Sequence, residues 1–159
     1  ESRDHETKFP YKAGFYRHLL ETLQTYHRPT ELIAIMGDFN IAPVDHDIGI
    51  TADAKARWLR TGKTSFLPEE RAWFDALTRW GLLDSWRSRH PEISDRFSWF
   101  DYRSRGFEDS PKRGLRIDHI LVTASLNERI LECGIDYAIR GLEKPSDHCP
   151  VWLTLDNPS

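Results

Sequence analysis

Residues 32–40 read Leu32-Ile33-Ala34-Ile35-Met36-Gly37-Asp38-Phe39-Asn40. The apolar run Leu32–Met36, stopped by Gly37, predicts a buried strand. Asp38 and Asn40 follow two positions apart, so in extended backbone their side chains point to the same face. A carboxylate and a carboxamide are then presented together at a strand end, where open α/β sheets place their sites. The carboxylate can take a proton or hold a cation, and the amide can donate to an oxyanion without neutralising that base. The same pair also suits a plain Asx turn after a strand, with no chemistry attached.

The flanking sequence supplies the rest of the architecture. Lys12–Tyr26 reads as an amphipathic helix with Phe15, Leu19, Leu23 and Tyr26 on one stripe. A loop, Ile41–Ile50, carries Pro43, Asp45 and Asp47, and Ala54–Arg60 reads as a short basic helix. Pro68 suits the first turn of a longer helix, with Glu69 and Glu70 near its positive end and Gly81 as its cap. Trp73, Phe74, Leu77 and Trp80 form the apolar face of that helix. Further strands are expected at Phe97–Tyr102, Leu115–Thr123, Gly134–Ile139 and Val151–Leu155. Helices alternating with buried strands indicate an α/β fold.

Composition narrows the classes. A chain of 159 residues fits one domain with a sizeable core, and its net charge of −3 advertises no global affinity for nucleic acid. A metal and local basic loops could still supply that attraction. Two cysteines, Cys133 and Cys149, are too few for a disulfide scaffold and fit free thiols in a reducing cytoplasm. No apolar run approaches membrane-spanning length, so no membrane association is expected. The chain opens on Glu1 rather than Met, as expected of a sequence that begins in mid-protein.

A second constellation stands near the carboxyl end: Lys144-Pro145-Ser146-Asp147-His148-Cys149-Pro150. Two prolines restrict the loop that presents Asp147 and His148. Histidine exchanges protons near neutral pH and needs a second group to orient it. Asp118, in a strand reading Ile117-Asp118-His119-Ile120-Leu121, is the natural orienter, because an unpaired carboxylate there would be costly to bury. An ion pair of Asp118 with Arg116 or Arg96 is the alternative. No Gly-rich phosphate cradle, Cys-x-x-Cys pair, His-Glu-x-x-His helix or nucleophile elbow occurs, and adjacent His148 and Cys149 make a poor nucleophilic pair. The oxygen-rich set Asp38, Asn40 and Asp147 favours a hard cation, Mg²⁺ or Mn²⁺ ahead of Zn²⁺.

Gly37-Asp38-Phe39-Asn40, Arg116-Ile117-Asp118 and Ser146-Asp147-His148 resemble the carboxyl-half motifs of the endonuclease/exonuclease/phosphatase superfamily. Longer words resemble its bacterial exonuclease III family: Glu1–His5, Lys8-Phe9-Pro10, Trp58–Lys63, Ser65–Arg71, Asp95–Arg103 and Gly134–Tyr137. The likeness runs over essentially the whole chain. It implies a four-layered α/β sandwich of two similar halves, of which residues 1–159 correspond to the carboxyl-terminal half, a fragment lacking the amino-terminal half. That other half carries the family's metal-binding glutamate and asparagine and a catalytic tyrosine, so this chain alone is expected to be poorly active or inactive.

The resemblance also implies roles. Asp38 matches the proton-transferring aspartate, Asn40 the asparagine that holds reacting oxygens, Asp118 the aspartate that orients the histidine, and His148 that histidine, in contact with the scissile phosphate. Asp147, with Asp38 and Asn40, matches the metal site. The implied reaction is metal-assisted attack of water on a DNA phosphodiester, in the setting of base excision repair. The family removes nucleotides from 3′ ends of duplex DNA, cuts at abasic sites and trims blocked 3′ termini; it works in the cytoplasm as a monomer.

The DNA contacts have a sequence signature of their own. Arg96–Arg116 is net basic within an acidic chain and interleaves aromatic residues, a mixture suited to phosphates and to sugar or base faces. Trp99, Phe100 and Leu115 become candidates for a pocket that accepts an abasic sugar, with Arg103 and His148 on the DNA. Arg57, Arg60 and Lys63 form a weaker basic cluster that reads as solvated surface. Two departures from the family pattern stand out. The loop Asp109–Arg113 is slightly long, and His119 sits where an apolar residue is expected, a core histidine. Two rival readings remain: a superfamily phosphatase or phosphodiesterase on a non-nucleic-acid substrate, and an inactive DNA-binding fragment.

Overall fold

The protein, a computed structural model, is described over residues 2–156. Glu1, the first residue of the Glu1–His5 word, and residues 157–159 lie outside the described residues. Helix α1 (Lys8–Tyr26) leads into strand β1 (Ala34–Asp38), a 3-10 turn at Asp45–Asp47, and helices α2 (Ala52–Arg60) and α3 (Pro68–Trp80). Strand β2 (Leu82–Asp84), helix α4 (Ser85–Arg89), strand β3 (Asp118–Thr123), helix α5 (Ala124–Asn127), strand β4 (Ile130–Ile135), helix α6 (Tyr137–Arg140) and strand β5 (Val151–Leu155) complete the order. The fold is α/β.

Strand β3 is the axis of the molecule. It pairs antiparallel with β1 on one side and β2 on the other, while β4 and β5 form a separate antiparallel pair. Side chains alternate along β3, so the two faces meet different partners. Leu121 joins Tyr16 and Leu23 of α1, Phe74 and Leu77 of α3, and Phe39 in one core. Ile120 and Val122 join Trp86, Leu126, Ile130 and Cys133 in another, with Ile135, Val151 and Leu153 against it. Covered on both faces, β3 can be a continuous apolar run.

The opening strand differs from expectation. It lies at Ala34–Asp38 rather than Leu32–Met36, and it is not buried: Leu32 is 56% exposed and Met36 66%. Strand β1 borders the sheet, and only its Ile35 side packs on the helical core. The β4–β5 pair covers β3 and stops short of β1, which leaves the Leu32 and Met36 side open.

The α1 helix begins at Lys8, four residues before the expected Lys12, and its buried stripe runs through Tyr16 and Leu23; Phe15 and Tyr26 are exposed. The expected strand Phe97–Tyr102 is instead a crossing segment. Trp99 bridges Leu115 on one side and His148 on the other, so no ladder extends in either direction. The expected strand Gly134–Ile139 is divided, because the Asp136 side chain accepts from the Ile139 N–H and caps a helical turn, α6. Strand β3 starts at Asp118, three residues after the expected Leu115. The α3 helix matches expectation, with Pro68 in its first turn and Gly81 closing it at φ 131°. Among the described residues no helix is long and apolar enough to cross a membrane.

Candidate active site

Register brings the two carboxylates together: Asp38, the last residue of β1, lies directly opposite Asp118, the first of β3. Side chains of such partners are neighbours on the sheet. Asp38 is also an Asx turn, since its Oδ1 accepts from the Asn40 N–H at 2.8 Å and its Oδ2 from Asn40 Nδ2 at 3.3 Å. The structural and the chemical readings of this pair are therefore the same geometry. Asn40 adopts φ 54°, a left-handed conformation that asparagine tolerates better than most residues.

Asp118 does not pair with arginine. Both of its oxygens face His148 Nδ1, at 3.0 and 2.9 Å. The ring's other nitrogen, Nε2, then looks toward Asp38, whose Oδ2 is 4.0 Å away. The hydrogen bond with Asp118 raises the His148 pKa above its ordinary value, burial opposes the rise, and the charges of Asp118, Asp38 and Asp147 add to it. Asp38 is raised as well, chiefly by burial and then by the like charge of Asp118, against the Asn40 N–H and the positive charge of His148.

Two crossings hold this arrangement. The buried Ser98 hydroxyl accepts the N–H groups of both Ile117 and Asp118, at 3.0 and 2.9 Å. Phe100 N–H donates to the Asp147 carbonyl and Cys149 N–H donates to the Ser98 carbonyl, tying the His148 loop to the same segment. From the helical side, Tyr16 donates to the Phe39 carbonyl and Lys12 to the Asn40 carbonyl at 2.7 Å. Four residues apart on α1, these two side chains lie on one face and fix the turn after β1.

Beside this centre lies a cavity of about 340 Å³ lined by Asn40, Trp58, Lys63, Ser65, Trp99, Arg103, Leu115 and His148, among others. Of the residues expected at the sugar pocket, Trp99 and Leu115 line this cavity, and Arg103 borders it. Phe100 does not: it is fully buried among Phe97, Cys149, Phe107 and Tyr137, because the crossing segment turns it to the opposite side from Trp99. Lys63, expected as solvated surface, sits 3.6 Å over the Trp58 ring, and Trp58 stacks on Phe66. Burial lowers the Lys63 pKa. Trp58, Ser65 and Ser98 lie within the family words, but nothing in the sequence singles out their contributions, since each depends on a loop crossing.

Arg116 serves the scaffold. Buried, it makes two-pronged contacts with Asp47 (2.7 and 3.1 Å) and Asp84 (2.6 and 3.1 Å). Burial disfavours its charge, but those two carboxylates more than offset that and raise its pKa; the Arg116 charge in turn holds Asp84 far below the carboxylate range against burial. His119 is the core histidine expected, with Nε2 against the Ile41 carbonyl and Nδ1 against Arg116.

For a metal, one ligand atom each from Asp38, Asp118 and His148 lie within 4.8 Å of one another. Asp118 is committed to His148, which leaves Asp38 as the available carboxylate of that group. Asp118 lies beside it as a like charge that a bound cation would offset, so the donor set fits one. Asp147 stands outside this group, with Oδ2 accepting from Trp99 Nε1 at 2.9 Å.

The model of the Endonuclease/Exonuclease/phosphatase family matches residues 1–148 of this chain. Exodeoxyribonuclease III of Haemophilus influenzae is 58% identical over 152 residues, 96% of this chain and 56% of that protein. An AP endonuclease from Archaeoglobus fulgidus superposes with a TM-score of 0.85 at 30% identity, over 98% of this chain and 57% of that one. A 3′ phosphatase from Neisseria, solved bound to a product DNA hairpin, gives 0.83 at 38% identity, again over 98% and 57%. The chain therefore spans about half the length of the relatives it matches.

Proposed function

The chain belongs to the Endonuclease/Exonuclease/phosphatase family, and from that membership we propose that the full-length protein is a DNA-repair nuclease of the exonuclease III type. It would remove nucleotides from 3′ ends, cut at abasic sites and trim 3′ phosphates. The observation that carries this reading is the alignment Asp118–His148–Asp38, with His148 Nδ1 held by Asp118 and Nε2 turned to Asp38 at 4.0 Å.

In the proposed mechanism Asp38 takes the proton of the attacking water. Its raised pKa brings it closer to neutral pH, where a general base works best. His148, whose protonated form Asp118 behind it favours, would donate from Nε2 to a phosphate oxygen as charge develops there. Asn40 Nδ2 donates to a second oxygen without neutralising Asp38. A hard cation, Mg²⁺ or Mn²⁺, would be held by Asp38 and would neutralise phosphate charge, while the Asn40 oxygen stays with Ser65 and Asp147 with Trp99. Trp99 and Leu115 line a cavity of about 340 Å³ that would take an extrahelical sugar, and Arg103 on its wall would meet a backbone phosphate. The proposed substrate is thus duplex DNA with an abasic site or a 3′ end, acted on by a monomer.

His148→Ala or Asp38→Asn in the full-length protein is expected to lower Mg²⁺-dependent abasic-site cleavage at least 100-fold, the scale of removing one general acid–base group. Single-turnover cleavage of a labelled abasic duplex measures it. Near-normal rates in either variant would overturn the assignment. A phosphatase acting on small molecules is the second reading within the family, and an equal rate on a free phosphomonoester would favour it.

A further inference from the structure

Asn40 is gripped from behind by a set of polar groups that the reaction scheme leaves unused. Glu70, on the first turn of α3, is fully buried. One carboxylate oxygen meets Lys12 Nζ at 2.5 Å, and the other accepts the N–H groups of Ser65 and Leu67, both at 2.8 Å. These two N–H bonds bracket Ser65, which sits at φ 105°, a conformation that L side chains rarely adopt. So held, Ser65 donates its Oγ–H to Asn40 Oδ1 at 3.1 Å, while its carbonyl accepts the Ala42 N–H. Lys12 closes the circuit by donating to the Asn40 carbonyl at 2.7 Å.

We infer that Ser65, Glu70 and Lys12 are positioning residues that set which end of the Asn40 carboxamide faces the substrate. The inference rests on the reading of Asn40 as a donor to the phosphate. A carboxamide has one accepting and one donating end, and the wrong end would repel both the Asp38 carboxylate and a phosphate oxygen. With Oδ1 engaged by Ser65, the NH₂ group must turn toward Asp38, where Nδ2 lies 3.3 Å from Oδ2. Glu70 acts one step back. As the acceptor for two loop N–H groups and the partner of Lys12, it joins α1, α3 and the turn after β1 at one buried point. Strained backbone at two facing non-glycine residues, Asn40 and Ser65, persists where the surroundings over-determine it, and such strain concentrates at functional sites.

The test uses steady-state cleavage of an abasic duplex by the full-length protein. Ser65→Ala and Ser65→Gly both remove the hydroxyl; the glycine variant also removes the conformational conflict, so it folds even if the alanine variant does not. Both are expected to lower kcat about tenfold, roughly the value of one hydrogen bond to a reacting group, with KM within about twofold. In an Asn40→Ala background Ser65→Gly is expected to cost nothing further, because no amide is left to orient. A Ser65→Gly enzyme with normal kcat beside an impaired Asn40→Ala enzyme would overturn the inference alone. Full multiplication of the two losses in the double variant would do the same. Normal kcat in Asn40→Ala would overturn the reading of the site as well.

Discussion

His148 draws its character from a partner thirty positions away. Because Asp118 raises its pKa, Asp118→Asn is expected to move it down toward the ordinary value of 6.5, which a proton NMR titration of the imidazole would follow. An unchanged midpoint would remove Asp118 as the cause. The stability linkage has a definite sign. A folded-state pKa above the unfolded one contributes stability that is complete below about pH 6.5 and is lost as pH rises through the folded value. Denaturant unfolding at pH 6 and pH 9 should therefore show the Asp118→Asn penalty shrinking at the higher pH. Arg116 belongs to the opposite group, buried charges that support no chemistry. Arg116→Met leaves Asp47 and Asp84 buried without their main cation, and a loss of about 3–5 kcal/mol in unfolding free energy is expected. The pairing of Arg116 was open in the sequence, since burial rather than residue type selects Asp47 and Asp84 over Asp118.

Between elements, the decisive contacts are single hydrogen bonds to backbone groups rather than ladders. Ser98 accepts two N–H groups at the mouth of β3, and no strand pairing replaces it there. Ser98→Ala leaves two buried donors unsatisfied, so a cost of about 2–4 kcal/mol is expected in chemical denaturation, with slower cleavage as Asp118 loses its register. A penalty under 0.5 kcal/mol would mean that water or a relaxed backbone takes the hydroxyl's place. Helix α3 was legible because every local signal agreed: Pro68, the early glutamates, the apolar stripe and Gly81. The aromatic, β-prone composition of segment 97–102 matches a strand, while its backbone hydrogen bonds go to two different neighbours one residue at a time.

Across the whole molecule, the uncovered side of β1 is the main departure from a closed core. Met36 on border strand β1, and Leu32 just before it, are exposed, and the outer backbone edge of that strand has no neighbour among the described residues. Such an edge is a template for association. The 159-residue chain taken alone is therefore expected to self-associate as its concentration rises, and Met36→Lys to suppress this while shifting the melting temperature by no more than a few degrees. Sedimentation velocity over a concentration series measures both. A chain that stays monomeric without the substitution would show that this face is adequately solvated.

The α/β class and the Asp38–Asn40 and Asp118–His148 pairs could be read from the chain, because motif spacing and periodicity are properties of neighbours in sequence, and the resemblance of the family words implied that the two pairs belong to one set. Their assembly could not. The Asp38–Asp118 pairing is a matter of strand register, the orientation of His148 depends on a crossing at Ser98, and the grip on Asn40 comes from Lys12 and Glu70 on two separate helices. Burial likewise escaped the sequence at β1: an apolar run is buried only where something packs against it, and here the β4–β5 pair reaches β3 and leaves Met36 in water.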